Sequence, residues 1–288
     1  MDNGISDGLS DYERLALQTI EAWENPERGL LSRVLDVARW PVDKAGELAM
    51  EVPGLGTVLE AVNKTVVSVA NDAAQGSVRK NSIFKDFRGK GHAVERLGDI
   101  AALDLQAVDA AIGYLAAKYK AAALAEGAGA GALGLPGMAI DVPAVMVLAL
   151  RAVGEYATYC GFDVDTQQER VFAMQVLGHA SSNNLAKAAM QAQLNKLALE
   201  LARKAAWKKL EEQALVRLLR ELAQQVGVRL TKAKLAQALP AAGAVVGGAV
   251  NTWFIAQVCD SAYHLYRKRF LLAKQAAAGT LPEAPADD

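Results

Sequence analysis

Three side chains capable of acid–base chemistry, Asp141, Glu155 and His264, are the candidate catalytic residues of this sequence. Asp141 is the single charged residue between positions 128 and 150. A carboxylate removed from water is suited to act as a general base or as a metal ligand. The same residue stands two positions before Pro143, from where it could cap a helix by accepting a backbone N–H. The capping interpretation is favoured, and Asp141 is the centre of any catalytic hypothesis.

Glu155 and His264 each have a charged neighbour at helical spacing. Glu155 follows Arg151 by four positions, and His264 follows Asp260 by four. Such residues face each other on a helix, and they are either ordinary side-chain pairs or parts of a site. An aspartate beside a histidine can orient the imidazole for proton transfer or metal binding. Because no HExxH or CxxC motif is present, we expect no metal site and no cofactor.

A basic segment is a further candidate for binding. Residues 187–234 carry eleven bases and four acids, whereas residues 1–36 carry eight acids and three bases. The segment could meet anionic lipid, an acidic partner or RNA, or the acidic N-terminal arm of its own chain. Its densest cluster suits a membrane interface, because cations there surround an indole ring; a solvated face paired with Glu211 and Glu212 is the alternative. The cluster consists of Arg203, Lys204, Trp207, Lys208 and Lys209. No nucleic acid partner is expected, since no motif of an RNA- or DNA-binding module accompanies it.

The composition predicts an all-α fold. Hydrophobic residues make up 52% of the 288 residues and aromatic residues 6%, so Ala, Leu and Val dominate the apolar content. Ala and Leu are strong helix formers. Cys160 and Cys259 lie far apart in apolar segments, which predicts buried free thiols in a reducing compartment. The acidic N-terminus does not resemble a secretory signal, so we expect a cytoplasmic protein that is at most peripheral at the inner face of the cell membrane.

The chain is expected to form one large, bundle-like helical domain with disordered ends. The expected units are a flexible N-terminus (1–10), the helical domain (11–275) and a disordered acidic tail (276–288). The first helix is expected to start after Ser10, and Thr166 followed by Glu169 is a capping-box pattern. Residues 76–92 are polar and contain glycine, which predicts an internal loop. The helical pattern that follows is expected to break near residues 103–104.

Two apolar segments, residues 128–150 and 239–259, are long enough to cross a bilayer. Prolines, glycines and Asp141 interrupt the first segment, so a buried core helix is favoured over a stable span. A GxxxG pair in the second segment lets helices approach closely, in lipid or in a soluble bundle. We therefore expect Gly/Ala-rich central helices at residues 135–160 and 239–259 that pack on each other or dock on a membrane. The expected packing residues are Gly134, Pro136, Gly137, Pro240, Gly243, Gly247 and Asn251.

Three sequence blocks carry a resemblance to a known family. They are GLPGMAIDVP at residues 134–143, YCGFD at residues 159–163 and PAAGAVVGGAVN at residues 240–251. Together they resemble the EcsC family, over a region that runs roughly from Arg33 to Leu272. That family is named after a protein encoded beside the subunits of an ABC transporter linked to protein secretion. The resemblance implies a helical, bacterial, membrane-associated or transport-linked protein, and it supplies no catalytic residues.

The sequence leaves three functions to compare. The leading expectation is a non-enzymatic, membrane-associated accessory protein linked to transport or envelope function, with an anionic membrane surface or a membrane protein as its partner. The first alternative is a hydrolase or metal-dependent enzyme centred on Asp141, which requires Asp141, Glu155 and His264 to converge. The second alternative is a cytoplasmic scaffold for protein partners. A homo-oligomer is compatible with each of the three.

Overall fold

The computed structural model describes residues 8–25, 60, 78–130, 134–182, 184–203, 221, 225–228, 231 and 243–281. All regular structure in these ranges is α-helical, which confirms the predicted all-α fold. In chain order the helices are α1 (Asp11–Glu24), α2 (Lys80–Gly89), α3 (Leu97–Ile100), α4 (Leu105–Ile112), α5 (Leu115–Ala130), α6 (Gly134–Tyr159), α7 (Gln167–Ser181), α8 (Asn184–Ala202) and α9 (Gly243–Ala278).

The long helix α9 is the central element of the fold. It packs against α1, α4, α5, α6, α7 and α8. Phe254, Ile255, Val258 and Tyr266 of this helix are at most 2% exposed. These positions do not fall on a single stripe, as expected for a helix that has neighbours on several sides. Helix α9 therefore positions the other helices. Its last turn includes residues 276–278, which the sequence assigned to the acidic tail.

The predicted start of the first helix is confirmed. Ser10 caps α1: its Oγ accepts from the Glu13 backbone N–H, and the Glu13 carboxylate accepts from the Ser10 N–H at 2.9 Å. The second predicted cap is half right. Thr166 Oγ1 accepts from the Glu169 N–H at the start of α7, but the Glu169 carboxylate binds Arg269 of α9 instead of returning to the cap.

The prediction of a loop over residues 76–92 is wrong, because helix α2 occupies most of this range. Among the polar and glycine residues of this segment is a short apolar stripe of Ile83, Phe84 and Phe87, all buried in the core. The Phe87 ring lies 6.0 Å from the ring of Tyr159 at the end of α6. Burial of these three side chains stabilises a helix that the local composition alone does not favour.

Two breaks divide the helical pattern that follows. The predicted break near residues 103–104 is confirmed: Asp104 is the N-cap of α4, and its carboxylate accepts from the Gln106 N–H at 2.7 Å. The sequence did not predict the second break. Gly113, with a φ of +49°, separates α4 from α5 in a conformation that favours glycine.

The end of α6 is fixed by a Schellman motif. Gly161 has a φ of +82°, and its N–H donates to the carbonyl of Thr158. The N–H of Phe162 donates to the carbonyl of Ala157 at 2.9 Å. These two bonds satisfy carbonyls that the last helical turn leaves unpaired. The YCGFD block is therefore a helix terminus. Both cysteines are free and buried, as predicted.

Candidate functional site

Asp141 contacts Asn251, so the candidate catalytic aspartate joins α6 to α9. Asn251 Nδ2 donates to Asp141 Oδ1 at 2.9 Å. Asp141 is 6% exposed and Asn251 is fully buried. The other end of the amide, Asn251 Oδ1, has no hydrogen-bond partner in the described part of the chain. The last polar residue of the GLPGMAIDVP block thus binds the last residue of the PAAGAVVGGAVN block across the two Gly/Ala-rich helices.

The capping interpretation of Asp141 is wrong. Helix α6 begins at Gly134 and contains Pro143 inside it, so Asp141 lies in the second turn of a continuous helix. An N-cap residue must precede the first helical residue, where backbone N–H groups are still unpaired. The Asp141 carboxylate is directed at a side chain of another helix instead.

Glu155 is a buried carboxylate between two cations. It is 5% exposed, and it binds Lys118 of α5 at 3.0 Å and Arg151 of α6 at 3.3 Å. The predicted pair with Arg151 is thus present. Lys118 was not predicted, because it comes from a different helix. Burial raises the pKa of the neighbouring Tyr119 well above its usual range, and the Glu155 charge adds to this effect.

His264 is held against the N-terminal helix. Its ring stacks on Trp23 of α1, with centroids 4.5 Å apart and an interplanar angle of 4°. Its Nδ1 lies 2.9 Å from the Asp260 carbonyl oxygen and 3.5 Å from the Asp260 carboxylate. Trp23 Nε1 donates to the same carboxylate at 2.8 Å. The predicted Asp260–His264 neighbours therefore help to bind α1, and sequence reasoning missed Trp23.

The three candidate catalytic residues do not converge. Asp141 and Glu155 are fourteen residues apart in one helix, which separates them by roughly 21 Å along its axis at about 1.5 Å per residue. Asn251, the partner of Asp141, and His264 are thirteen residues apart in α9, or roughly 20 Å. A general base must reach its proton directly or through one water. The structure therefore does not bring together the site required by the enzyme hypothesis.

Within the described residues, no group of three or more His, Cys, Asp or Glu side chains could hold a metal ion. Nor does any helix in this part of the chain combine the length and the apolar run needed to cross a bilayer.

Several predicted contact residues lie outside the described residues, or in helical turns whose side chains are not described. Lys204, Trp207, Lys208 and Lys209 lie outside the described residues, and Arg203 is exposed just after α8. Pro240 also lies outside. Gly134, Pro136 and Gly137 are in α6, and Gly243 and Gly247 are in α9, in turns whose side-chain environment is not described. Of the predicted packing residues, Asn251 is the one with a described contact.

The C-terminal part of α9 is rich in ion pairs that hold the surrounding helices. Each pair joins a base of α9 to an acid of α1, α4 or α7: Lys274 with Glu13 (2.6 Å), Lys268 with Glu24 (2.7 Å), Arg267 with Asp109 (2.8 Å), and Arg269 with Glu169. The guanidinium of Arg269 also lies over the rings of Phe162 and Phe172, at 4.0 and 4.2 Å from their centroids. The acidic N-terminal helix is thus bound to bases of α9. We call this region, α9 from residue 257 onwards with the helices paired to it, the charged half.

Helices α1 and α7 run antiparallel to α9 and end at one level of the bundle. Trp23, near the end of α1, reaches Asp260, and His179, near the end of α7, lies 3.0 Å from Ser261. Helices α5, α6 and α9 continue beyond this level with residues 121–130, 134–150 and 243–256. These stretches hold two charged residues, Glu126 and Asp141. We call them the charge-poor half.

Comparison with known proteins gave one family and two relatives. The model of the EcsC protein family matches residues 14–271. Uncharacterized protein YdbA of Bacillus subtilis (strain 168) is 26% identical over 264 residues, which cover 90% of this chain and 92% of that protein. Protein EcsC of the same organism is 27% identical over 173 residues, 60% of this chain and 68% of that protein. No solved structure matches. The family match includes all three sequence blocks and both residues of the Asp141–Asn251 contact.

Proposed function

We propose that this chain, which belongs to the EcsC protein family, is a non-enzymatic helical accessory protein that docks on the inner face of a cell membrane. The observation that carries the proposal is the uneven distribution of charge along the bundle. Helices α5, α6 and α9 extend beyond the ends of α1 and α7 with two charged residues among the described positions, Glu126 and Asp141. A region with so few charges loses little hydration free energy when it meets an apolar surface.

The placement of the acid–base residues supports a non-enzymatic role. Asp141 binds an amide, Glu155 binds two cations, and His264 stacks on an indole. Each of these side chains links two helices, and Asp141 lies roughly 20 Å along the helix axes from the other two. Their contacts account for their burial without a reaction, because buried polar groups need partners to offset the cost of desolvation.

Docking on the membrane is proposed rather than spanning. Alanine and glycine, which dominate the charge-poor half, gain little free energy on transfer to hydrocarbon. Such a surface needs electrostatic attraction to anionic lipid as well, which basic side chains at the edge of the region would supply. The link to transport or envelope function is proposed from the naming of the family after a protein encoded beside ABC transporter subunits. A membrane protein at the same surface would be a compatible partner.

Vesicle co-sedimentation tests the proposal. The full chain is mixed with vesicles of phosphatidylglycerol and phosphatidylcholine, and separately with pure phosphatidylcholine vesicles, at low and high salt. We expect binding to the anionic vesicles that weakens at high salt, because salt screens charge attraction. A protein that stays in the supernatant with anionic vesicles at low salt would refute membrane docking. Such a result would leave the scaffold hypothesis, which cross-linking to soluble partners would then examine.

A further inference from the structure

We infer that four cations at the edge of the charge-poor half, Lys118, Lys120, Arg151 and Lys187, bind the phosphate headgroups of anionic phospholipid. In the same contact, Leu124 and Trp253 enter the interface. This inference rests on the proposed membrane docking and specifies the surface that performs it. The four cations are called the cation belt below.

The cation belt lies at one level of the bundle, although its members come from three helices. Lys118 of α5 and Arg151 of α6 both bind Glu155, which places them side by side. Lys187 of α8 donates to Gln257 of α9 at 3.2 Å. These contacts position three of the four cations.

Lys120 follows Lys118 by two residues in α5, so it lies about 3 Å further along that helix, towards residues 121–130. Helix α5 packs against α9, and the positive charge of Lys120 partly opposes the rise that burial causes in the pKa of the Cys259 thiol. Cys259 is two residues from Gln257, the partner of Lys187. Lys120 therefore belongs to the same edge of the bundle.

Glu155 acts as a positioning residue for two members of the cation belt. Lys118 and Arg151 would repel each other if no acid stood between them. The Glu155 carboxylate is 7% exposed, whereas the side chains of Lys118 and Arg151 are 60% and 37% exposed. Its charge thus acts from the interior and holds the two cations together, while both extend to solvent. Arg151 uses Nε for this contact, and a guanidinium has further N–H donors suited to phosphate oxygens.

Two exposed apolar side chains lie at matching distances beyond the cation belt. Leu124 of α5 is 54% exposed and follows Lys120 by four residues. Trp253 of α9 is 45% exposed and precedes Gln257, the partner of Lys187, by four residues. Four residues of helix correspond to about 6 Å, and interfacial helices bury their apolar faces about 5–10 Å into the headgroup and acyl boundary. Cations at phosphate level would thus place both side chains at the interfacial depth, where tryptophan is enriched, and would insert residues 243–252 of α9 further into the bilayer without spanning it.

Charge complementarity selects an anionic lipid surface as the occupant. Among the described residues, the acids at this level are Glu155, which faces the interior, Asp260, which binds Trp23, and Glu24, which is paired with Lys268. Because Glu24 and Lys268 balance each other, the four cations against Glu155 and Asp260 leave a positive edge. A neutral membrane offers the same apolar depth but no excess of negative phosphate, so it would be bound more weakly.

Fluorescence quenching by brominated lipid tests the depth of Trp253. The full chain, Trp253→Phe and Trp207→Phe are each bound to anionic vesicles that carry bromine on the upper acyl chain. We expect quenching in the wild type and in Trp207→Phe, and loss of most of it in Trp253→Phe. Circular dichroism and thermal melting verify that each variant is folded, since phenylalanine keeps most of the indole volume.

Partition measurements test the cation belt with a matched control. The double variant Lys118→Gln/Lys120→Gln removes two charges from the cation belt. The control, Lys85→Gln/Lys90→Gln, removes two exposed charges in α2 and just after it. Helix α2 contacts α4 and the end of α6 that is remote from the charge-poor half. A lysine near an anionic surface contributes roughly fivefold to partitioning, so the first double variant should bind about 25-fold more weakly. The control should stay within about twofold of the wild type.

The outcomes separate this inference from the proposed function. One outcome would overturn the inference: the protein binds vesicles, and quenching persists in Trp253→Phe but disappears in Trp207→Phe. The basic cluster around Trp207 would then be the membrane contact. Equal weakening by the two double variants would overturn it as well, since only overall charge would then matter. In both cases membrane docking itself would stand. Absence of any vesicle binding would refute both.

Discussion

The two halves of helix α9 are stabilised by different physical means. From residue 257 onwards its bases pair with acids of α1, α4 and α7, and the Arg269–Glu169 pair is deeply buried. Between residues 243 and 256 the helix has no charged residue, and its described polar contact to another helix is Asn251 with Asp141. Ion pairs fix one arrangement of helices, because each charge must meet its own partner. Small residues permit close contact with much less geometric specificity. Because the charge-poor half has few charges to dehydrate, it would lose little hydration free energy on contact with a membrane surface.

The largest expected effect concerns the Arg269–Glu169 pair in the charged half. Glu169→Gln keeps the first turn of α7 but leaves the Arg269 guanidinium buried without its carboxylate. Breaking one partner of a buried pair costs about 3–5 kcal/mol of unfolding free energy. Urea denaturation measures the loss. The control is Lys80→Gln, which removes a bridge to the half-exposed Asp163 and Asp165 and should cost about 0–1 kcal/mol. Similar losses in the two variants would contradict the assignment of stability to buried pairs.

The pH dependence of the unfolding free energy tests the contribution of His179, which lies near Ser261, where the charged half meets the charge-poor half. Burial, with a smaller effect of the nearby Lys187 charge, lowers the pKa of His179 to about 4. The folded protein therefore favours the neutral ring, and the unfolded chain takes up the proton first, at a pH near 6.5. Neutral His179 makes its full contribution to the unfolding free energy above about pH 6.5. This contribution is lost as the pH falls towards 4, and the total loss is about 3 kcal/mol. Urea titrations at a series of pH values measure it.

His179→Gln provides the comparison for that titration, because carboxylates also titrate at acid pH. Glutamine can retain a hydrogen bond to Ser261 but does not take up a proton. The unfolding free energy of the wild type minus that of the variant should fall by about 3 kcal/mol as the pH falls from 6.5 to 4. A difference that is constant with pH would show that His179 makes no contribution to acid unfolding.

The sequence predicted the elements whose signals are local. The start of α1 after Ser10, the break at Asp104 and the all-α class follow from caps and composition, and the structure confirms them. The loop prediction for residues 76–92 failed because three buried side chains outweigh the polar composition of α2. Local patterns do not report such tertiary burial.

Sequence patterns did not predict which residues the candidate site residues contact, because most of these partners are distant in sequence. Lys118 is 37 residues from Glu155, and Trp23 is 237 residues from Asp260. Helical spacing identifies partners three or four positions away, so it found Arg151 beside Glu155 and left out Lys118. The contact of Asp141 with Asn251 spans 110 residues. Both residues were singled out by their motif blocks, but no feature of the blocks indicated that the two side chains would meet.

A third variant examines the charge-poor half at its one described interhelical polar contact. Asn251→Leu keeps the number and branching of the side-chain heavy atoms and removes the amide that donates to the buried Asp141 carboxylate. The expected loss is about 1–3 kcal/mol of unfolding free energy, because a buried acceptor loses its donor. Adding Asp141→Leu should recover part of this loss, since replacement of both polar partners by apolar groups can be nearly neutral. Chemical denaturation of the two single variants and the double variant gives the coupling free energy. Strictly additive losses would mean that the Asp141–Asn251 contact contributes nothing to the pairing of α6 with α9.

The smallest expected effect concerns Gly161, in the turn that ends α6 beside the charged half. Its φ of +82° disfavours any residue with a Cβ atom, and an added Cβ would lie 3.2 Å from the Leu97 carbonyl oxygen. Gly161→Ala should therefore lower the unfolding free energy by about 1–2 kcal/mol. Gly98→Ala is the matched control, because Gly98 lies in helix α3 with no atom within 4 Å of an added Cβ. Alanine favours helix there, so the control should be neutral or stabilising by up to about 1 kcal/mol. Thermal melting distinguishes the two signs, and an equal effect of both substitutions would show that the left-handed turn at Gly161 does not constrain the end of α6.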